Sequence, residues 1–163
     1  MERKLELFQI AGYLPHGLYW NVNGRNSWYS LGSVSCIIYE EEVLTYKPIL
    51  RPLSDLYRTI THNGKEIVPI VELAKICIPH REWMFGDGLA VTVEKDFGLM
   101  YDARKHAKGF VLIDDVAGAI GFVFNQYQLF DYLHELKIDY RGLIDAGLAV
   151  DVNTLDVNPY ENR

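Results

Sequence analysis

A chain of 163 residues with 49% hydrophobic and 23% charged side chains has the composition of one globular domain, which excludes a disordered or fibrous protein. Its 22 Asp and Glu against 16 Lys and Arg leave a net charge of −6, and that balance disfavours general nucleic-acid binding, which needs clustered cations against phosphates. Acidity fits a cytoplasmic protein or one that meets a basic partner. No apolar run reaches the roughly 20 residues of a membrane span. The opening Met1-Glu2-Arg3-Lys4-Leu5-Glu6 lacks the apolar core of a signal peptide, so the cytoplasm is the expected location.

After a short apolar cluster (Leu5, Leu7, Phe8, Ile10, Ala11), Pro15 and Gly17 break the chain. From Gly17 to Asn23 the residues Leu18, Trp20 and Val22 alternate with Tyr19, Asn21 and Asn23, which predicts a half-buried strand with Trp20 turned to the core. Asn23-Gly24 supplies turn chemistry, and a second strand is expected over Trp28–Tyr39, paired antiparallel with the first. Glu40-Glu41-Glu42 ends it, as a solvated strand end rather than a metal site. An extended segment follows over Val43–Leu50, with Pro48 and Pro52 confining it to an edge or an end.

Ser54–Tyr57 reads as one helical turn, and Asn63-Gly64 between β-prone segments predicts a hairpin. Pro69 suits the first position of a helix running to about Cys77, which Pro79 stops. His80–Gly88 reads as loop, closed by a tight turn at Gly86-Asp87-Gly88. Strands are expected at Leu89–Val93, Leu99–Tyr101, Phe110–Ile113 and Ala119–Phe124, with turns at Asp96-Phe97-Gly98 and over Asp114–Gly118. Asn125 then caps a helix whose stripe of Leu129, Phe130, Leu133 and Leu136 faces a core. A shorter turn begins at Leu143-Ile144, and Gly147 ends it in the left-handed conformation. Short strands followed by helix predict a single α+β domain over residues 1–163, a mainly antiparallel sheet packed by the amphipathic C-terminal helix and one shorter helix.

Motifs of catalysis are absent or have simpler readings. Asp96-Phe97-Gly98 spells a kinase magnesium signature without the phosphate loop, lysine strand or catalytic loop that give it meaning. No Walker A, G-x-G-x-x-G or G-x-S-x-G sequence occurs. His16, His62, His80, His106 and His134 share no ligand spacing, Cys36 and Cys77 form no zinc pair, and no metal or cofactor is called for. His62, beside Asn63-Gly64, is a turn residue before it is an acid–base group. Asp114, Asp139, Asp145 and Asp151 flank turns, where Asp is favoured for backbone reasons. The reading therefore leans away from an enzyme.

Aromatic residues offer the alternative. Tyr19 lies opposite Trp20 on its strand and so faces outward, and whichever of Trp28 or Tyr29 shares that face joins it in a patch. Trp83 completes the set of candidate binding residues, Tyr19, Trp28, Tyr29 and Trp83.

Four segments, Tyr13–Leu18, Pro48–Leu56, His62-Asn63-Gly64 with Ile67–Ile70, and Asp139–Leu155, together resemble a group of small uncharacterised proteins encoded by gut Bacteroidales, their phages and mobile elements. Residues from about His80 to Val123 carry no such signature. The resemblance hands over no catalytic or ligand residue. What it implies is context, an accessory protein acting inside the host cytoplasm. The leading expectation is a non-enzymatic binding protein that engages a host protein. A small-molecule or nucleotide-sequestering protein and a small hydrolase using its carboxylates are the alternatives.

Overall fold

A computed structural model describes residues 4–29, 46–104 and 108–161. In chain order its first elements are α1 (Leu7–Ile10), β1 (Leu18–Val22), β2 (Arg25–Tyr29) and β3 (Tyr46–Pro52). Next come β4 (Ile60–His62), β5 (Lys65–Ile67), α2 (Pro69–Cys77), β6 (Trp83–Gly86) and β7 (Leu89–Thr92). The remainder is β8 (Phe97–Asp102), β9 (Gly109–Asp114), β10 (Ala119–Phe122), α3 (Gln126–Leu136), β11 (Ile138–Asp139) and β12 (Val150–Asp151). The architecture is α+β with mainly antiparallel sheets. Among the described residues no helix is long and apolar enough to cross a membrane. The chain divides into two compact units, Met1–Leu53 with Leu133–Arg163, and Ser54–Tyr132.

In the first unit the sheet runs β11-β3-β1-β2, with β12 also on β3. Asn23 (φ 49) and Gly24 (φ 84) make the β1–β2 turn, which both residues tolerate without strain. The extension of β2 expected to Tyr39 lies outside the described residues, as do Cys36 and Glu40-Glu41-Glu42. β3 is a central strand in spite of two prolines, because each stands at the end of a ladder. Pro48 closes the antiparallel pairing with β1, opposite Trp20. Pro52 closes the parallel pairing with β11, opposite Asp139. Neither missing N–H therefore interrupts a run of bonds. Ile10, Tyr13, Leu18, Trp20, Leu50, Leu143 and Ala149 form the core under this sheet. Gly147 adopts φ 72, and the amides of Leu148 and Ala149 return to the Leu143 carbonyl, which closes the turn expected there.

The second unit is an antiparallel meander in the order β10-β9-β8-β7-β6, with the β4–β5 hairpin turning at Asn63 (φ 50) and Gly64 (φ 71). α2 starts on Pro69, packs on β6, β7 and β8, and buries Ile70, Leu73 and Ala74. Two expectations need correction here. His80–Gly88 is not all loop, since Trp83–Gly86 pairs with β7 from Trp83 opposite Thr92 to Gly86 opposite Leu89. Asp96-Phe97-Gly98 is not a turn either. The buried Thr92 hydroxyl accepts the amides of Asp96 and Phe97, each at 3.1 Å, and so closes the turn at Asp96 and lets the strand begin on Phe97.

α3 spans the division between the units. Leu129, Leu133 and Leu136 are all buried, and Phe130 is half-buried. Phe130 packs edge-to-face on Phe110 of β9 (5.8 Å between centroids) and on Tyr101 of β8 (6.4 Å). Four residues on, the His134 ring lies against Gly12, where a Cβ would fall 2.3–2.6 Å from the imidazole. The same ring meets Tyr13 edge-on at 4.7 Å, and its Nε2 shares a 2.9 Å hydrogen bond with the Tyr140 hydroxyl. Burial pushes the Tyr140 phenol up, so it stays protonated in neutral solution.

Candidate functional site

The strongest constellation is on the outer face of β1 and β2. Leu18 and Trp20 are buried, so the intervening Tyr19 and the following Asn21 turn outward by the period of a strand. The register then decides between the two aromatic residues of β2. Trp28 stands directly opposite Tyr19, and Tyr29 stands opposite Leu18, a core-face position. Tyr19 and Trp28 meet edge-to-face with centroids 4.8 Å apart and planes at 64°, a geometry that the ring quadrupoles favour.

Trp28 is held from below by a glycine. At Gly17 (φ +67) a Cβ would fall 2.1 and 2.2 Å from the indole Cη2 and Cζ2. Both the left-handed backbone and the overlying ring thus require glycine at this position. The indole is still 37% exposed. Beside it the Asn21 amide donates to Asn26 Oδ1 at 2.8 Å, and Asn21 Oδ1 accepts the Gly24 amide at 3.1 Å, which fixes the turn.

A third ring completes the face. The Tyr160 hydroxyl accepts from the Tyr19 amide at 3.1 Å and donates to the Ile49 carbonyl at 2.8 Å. The β1–β3 ladder ends at the Trp20–Pro48 pair, so Tyr19 and Ile49 would form the next rung, and the phenol stands in for it. Tyr160 packs edge-to-face on Tyr19 at 5.4 Å. Arg51 and Lys137, both buried, lie 6.0 and 5.8 Å from the Tyr160 centroid, within cation–π reach. The result is a braced aromatic surface, since Tyr160 is bonded at its hydroxyl and its amide receives further support from Asn158 Oδ1 at 3.0 Å.

Of the residues expected from the sequence, Tyr19 and Trp28 come together, while Trp83 does not join them. Trp83 belongs to the other unit, where it sits opposite the buried Thr92, is itself buried, and donates its indole N–H to the Ile78 carbonyl at 3.2 Å. It is a packing residue. Tyr160, Gly17, Arg51 and Lys137 were not foreseen. Tyr160 lies in a tail with no periodicity, between Pro159 and Glu161, and no signal in the sequence marks it.

Three of the carboxylates named above each hold a backbone amide. Asp114 Oδ1 accepts the Ala117 amide, Asp139 Oδ2 the Ile144 amide and Asp151 Oδ1 the Asn153 amide, each at 2.8 Å. His62 Nε2 meets the Asn63 side-chain amide at 3.1 Å within their shared turn. Burial pushes the Cys77 thiol up, away from the reactive thiolate. Among the described residues no group of three or more His, Cys, Asp or Glu is placed to hold a metal ion. Comparison with family models, with curated proteins and with solved structures gives no match for the chain.

Proposed function

We propose that this protein works by binding, and that the outer face of β1 and β2 engages a protein of the host cell. The observation that carries the reading is the Tyr19–Trp28 pair, which leaves indole surface in solvent and yet is fixed by Gly17 beneath and Tyr160 behind. Rigid aromatic side chains lose little conformational entropy on association, and for that reason they anchor interfaces. The resemblance to Bacteroidales phage and mobile-element proteins supports an accessory role and a host-cell partner.

Affinity capture from Bacteroidales lysate with the parent chain and with Trp28→Ser tests this. A host protein retained by the parent and lost by the variant, with the variant still folded by circular dichroism, is the expected result. Equal capture by both chains overturns the reading. So does the release of a stoichiometric small molecule on denaturation, with no protein retained, because that outcome belongs to a sequestering protein.

A further inference from the structure

A second surface lies in the unit formed by Ser54–Tyr132, and it is independent of the aromatic face. The most exposed large apolar side chains of the described chain are Phe124 (106%), Val116 (84%), Tyr127 (73%) and Ile120 (70%). All four fall within residues 116–127: Ile120 on β10, Val116 in the turn before it, Phe124 just after it and Tyr127 on α3. A concentration of this kind is uncommon on a surface with nothing to bind.

β10 is also the terminal strand of its sheet. It pairs with β9 on one side, and among the described residues no strand lies on the other. End strands are normally guarded by lysine, proline, a bulge or an inward charge. Ala119-Ile120-Gly121-Phe122 has no charged residue and no proline. Past its end, the Val123 amide donates to the Phe110 carbonyl, and the Gln126 side chain bonds both the amide and the carbonyl of Phe110. The segment is therefore held in place by its backbone and one side-chain amide, and positioning it does not consume the four apolar side chains.

Charge selects the occupant. No Lys or Arg occurs from Gly109 to Tyr132, whereas Asp114 and Asp115 sit at the β9–β10 turn and Asp131 on α3. The Asp115 amide bonds the Asp96 carbonyl, so the turn lies beside another acidic residue, one that Arg81 pairs at 2.9 Å. A second copy pairing through its own β10 would bring the same carboxylates and, from residues 109–132, no cation. A basic, apolar strand would meet opposite charge at the turn and apolar surface along the edge.

We propose that the outer edge of β10 takes an extended segment of a partner protein in which apolar residues alternate with Lys or Arg. The segment adds as a further strand through main-chain hydrogen bonds, and its side chains read Ile120 and the Asp114-Asp115 turn. The test uses the full chain and fluorescence anisotropy of two labelled peptides, one alternating Val with Lys and one alternating Val with Glu. The Val–Lys peptide binds, added salt weakens it, and the Val–Glu peptide does not bind. Ile120→Lys, an edge guard at an exposed position, leaves the melting temperature unchanged and weakens binding about tenfold or more by setting like charges together. Asp115→Lys weakens it as well. Equal binding of the two peptides overturns the proposal, as does an affinity indifferent to Ile120→Lys. Concentration-dependent dimerisation that Ile120→Lys abolishes, with neither peptide bound, overturns it by giving the edge to a second copy.

Discussion

Thr92 shows how one buried hydroxyl can set a strand boundary. Its Oγ1 accepts the amides of Asp96 and Phe97 and donates to Asp96 Oδ1 at 2.6 Å, while Arg81 holds the other carboxylate oxygen at 2.9 Å. The Thr92 hydroxyl bond, with help from Arg81, keeps the Asp96 carboxyl below the usual carboxylate range. A carboxyl that titrates lower in the folded chain than in the unfolded one binds fewer protons when folded. Its contribution to stability is therefore complete above its unfolded value of about 4 and is lost as pH falls through the folded value. Asp96→Asn should accordingly be less stable than the parent at neutral pH, and the gap should close as the solution is acidified below about pH 4. Chemical denaturation followed at several pH values measures it. A gap that does not change with pH would mean that the carboxylate charge plays no part in the turn.

Among the elements, α3 carries the clearest test. Leu133 is fully buried on it, and shortening such a leucine to alanine costs about 2–5 kcal/mol. Leu133→Asp adds an unpaired charge to that loss, so the variant should be unfolded at room temperature by circular dichroism. A parent-like melt would show that the stripe does not face a core. That stripe was legible from the sequence because leucines at helical spacing admit few other readings. The Asn23-Gly24 and Asn63-Gly64 hairpins and the bounds of α2 were equally legible, since left-handed φ and a missing N–H are local properties. β6 was not, because Trp83-Met84-Phe85 shows no alternation and becomes a strand only through its pairing with β7. Without that strand the sequence assigns Trp83 no face, and only the pairing with Thr92 turns it inward. β11 and β12, two residues each, exist only by parallel pairing with β3. The site followed the same division. Alternation turned Tyr19 outward and register chose Trp28, while Tyr160 entered through two hydrogen bonds made 111 and 141 residues away in sequence.

At the scale of the whole molecule, the two units share one continuous helix of 11 residues. A helix of that length is marginal in isolation, because nucleation is costly and isolated helices shorter than about 12–15 residues hold poorly in water. Each half of α3 is therefore held by the side chains it packs on rather than by the helix alone. Leu129 and Phe130 lie in the half that belongs with Ser54–Tyr132, and Leu133 and Leu136 in the half that belongs with the β1–β3 sheet. We infer that each half of α3 melts with the unit whose buried residues it joins. Leu129→Ala then lowers amide protection in β8 and β9, and Leu133→Ala lowers it in β1 and β3. Native-state hydrogen exchange reads both. If Leu129→Ala loosens β8 and β9 and leaves β1 and β3 at parental protection, the units are energetically separate. The aromatic face and the β10 edge would then report on two independently folding modules, each able to keep its partner when the other is lost.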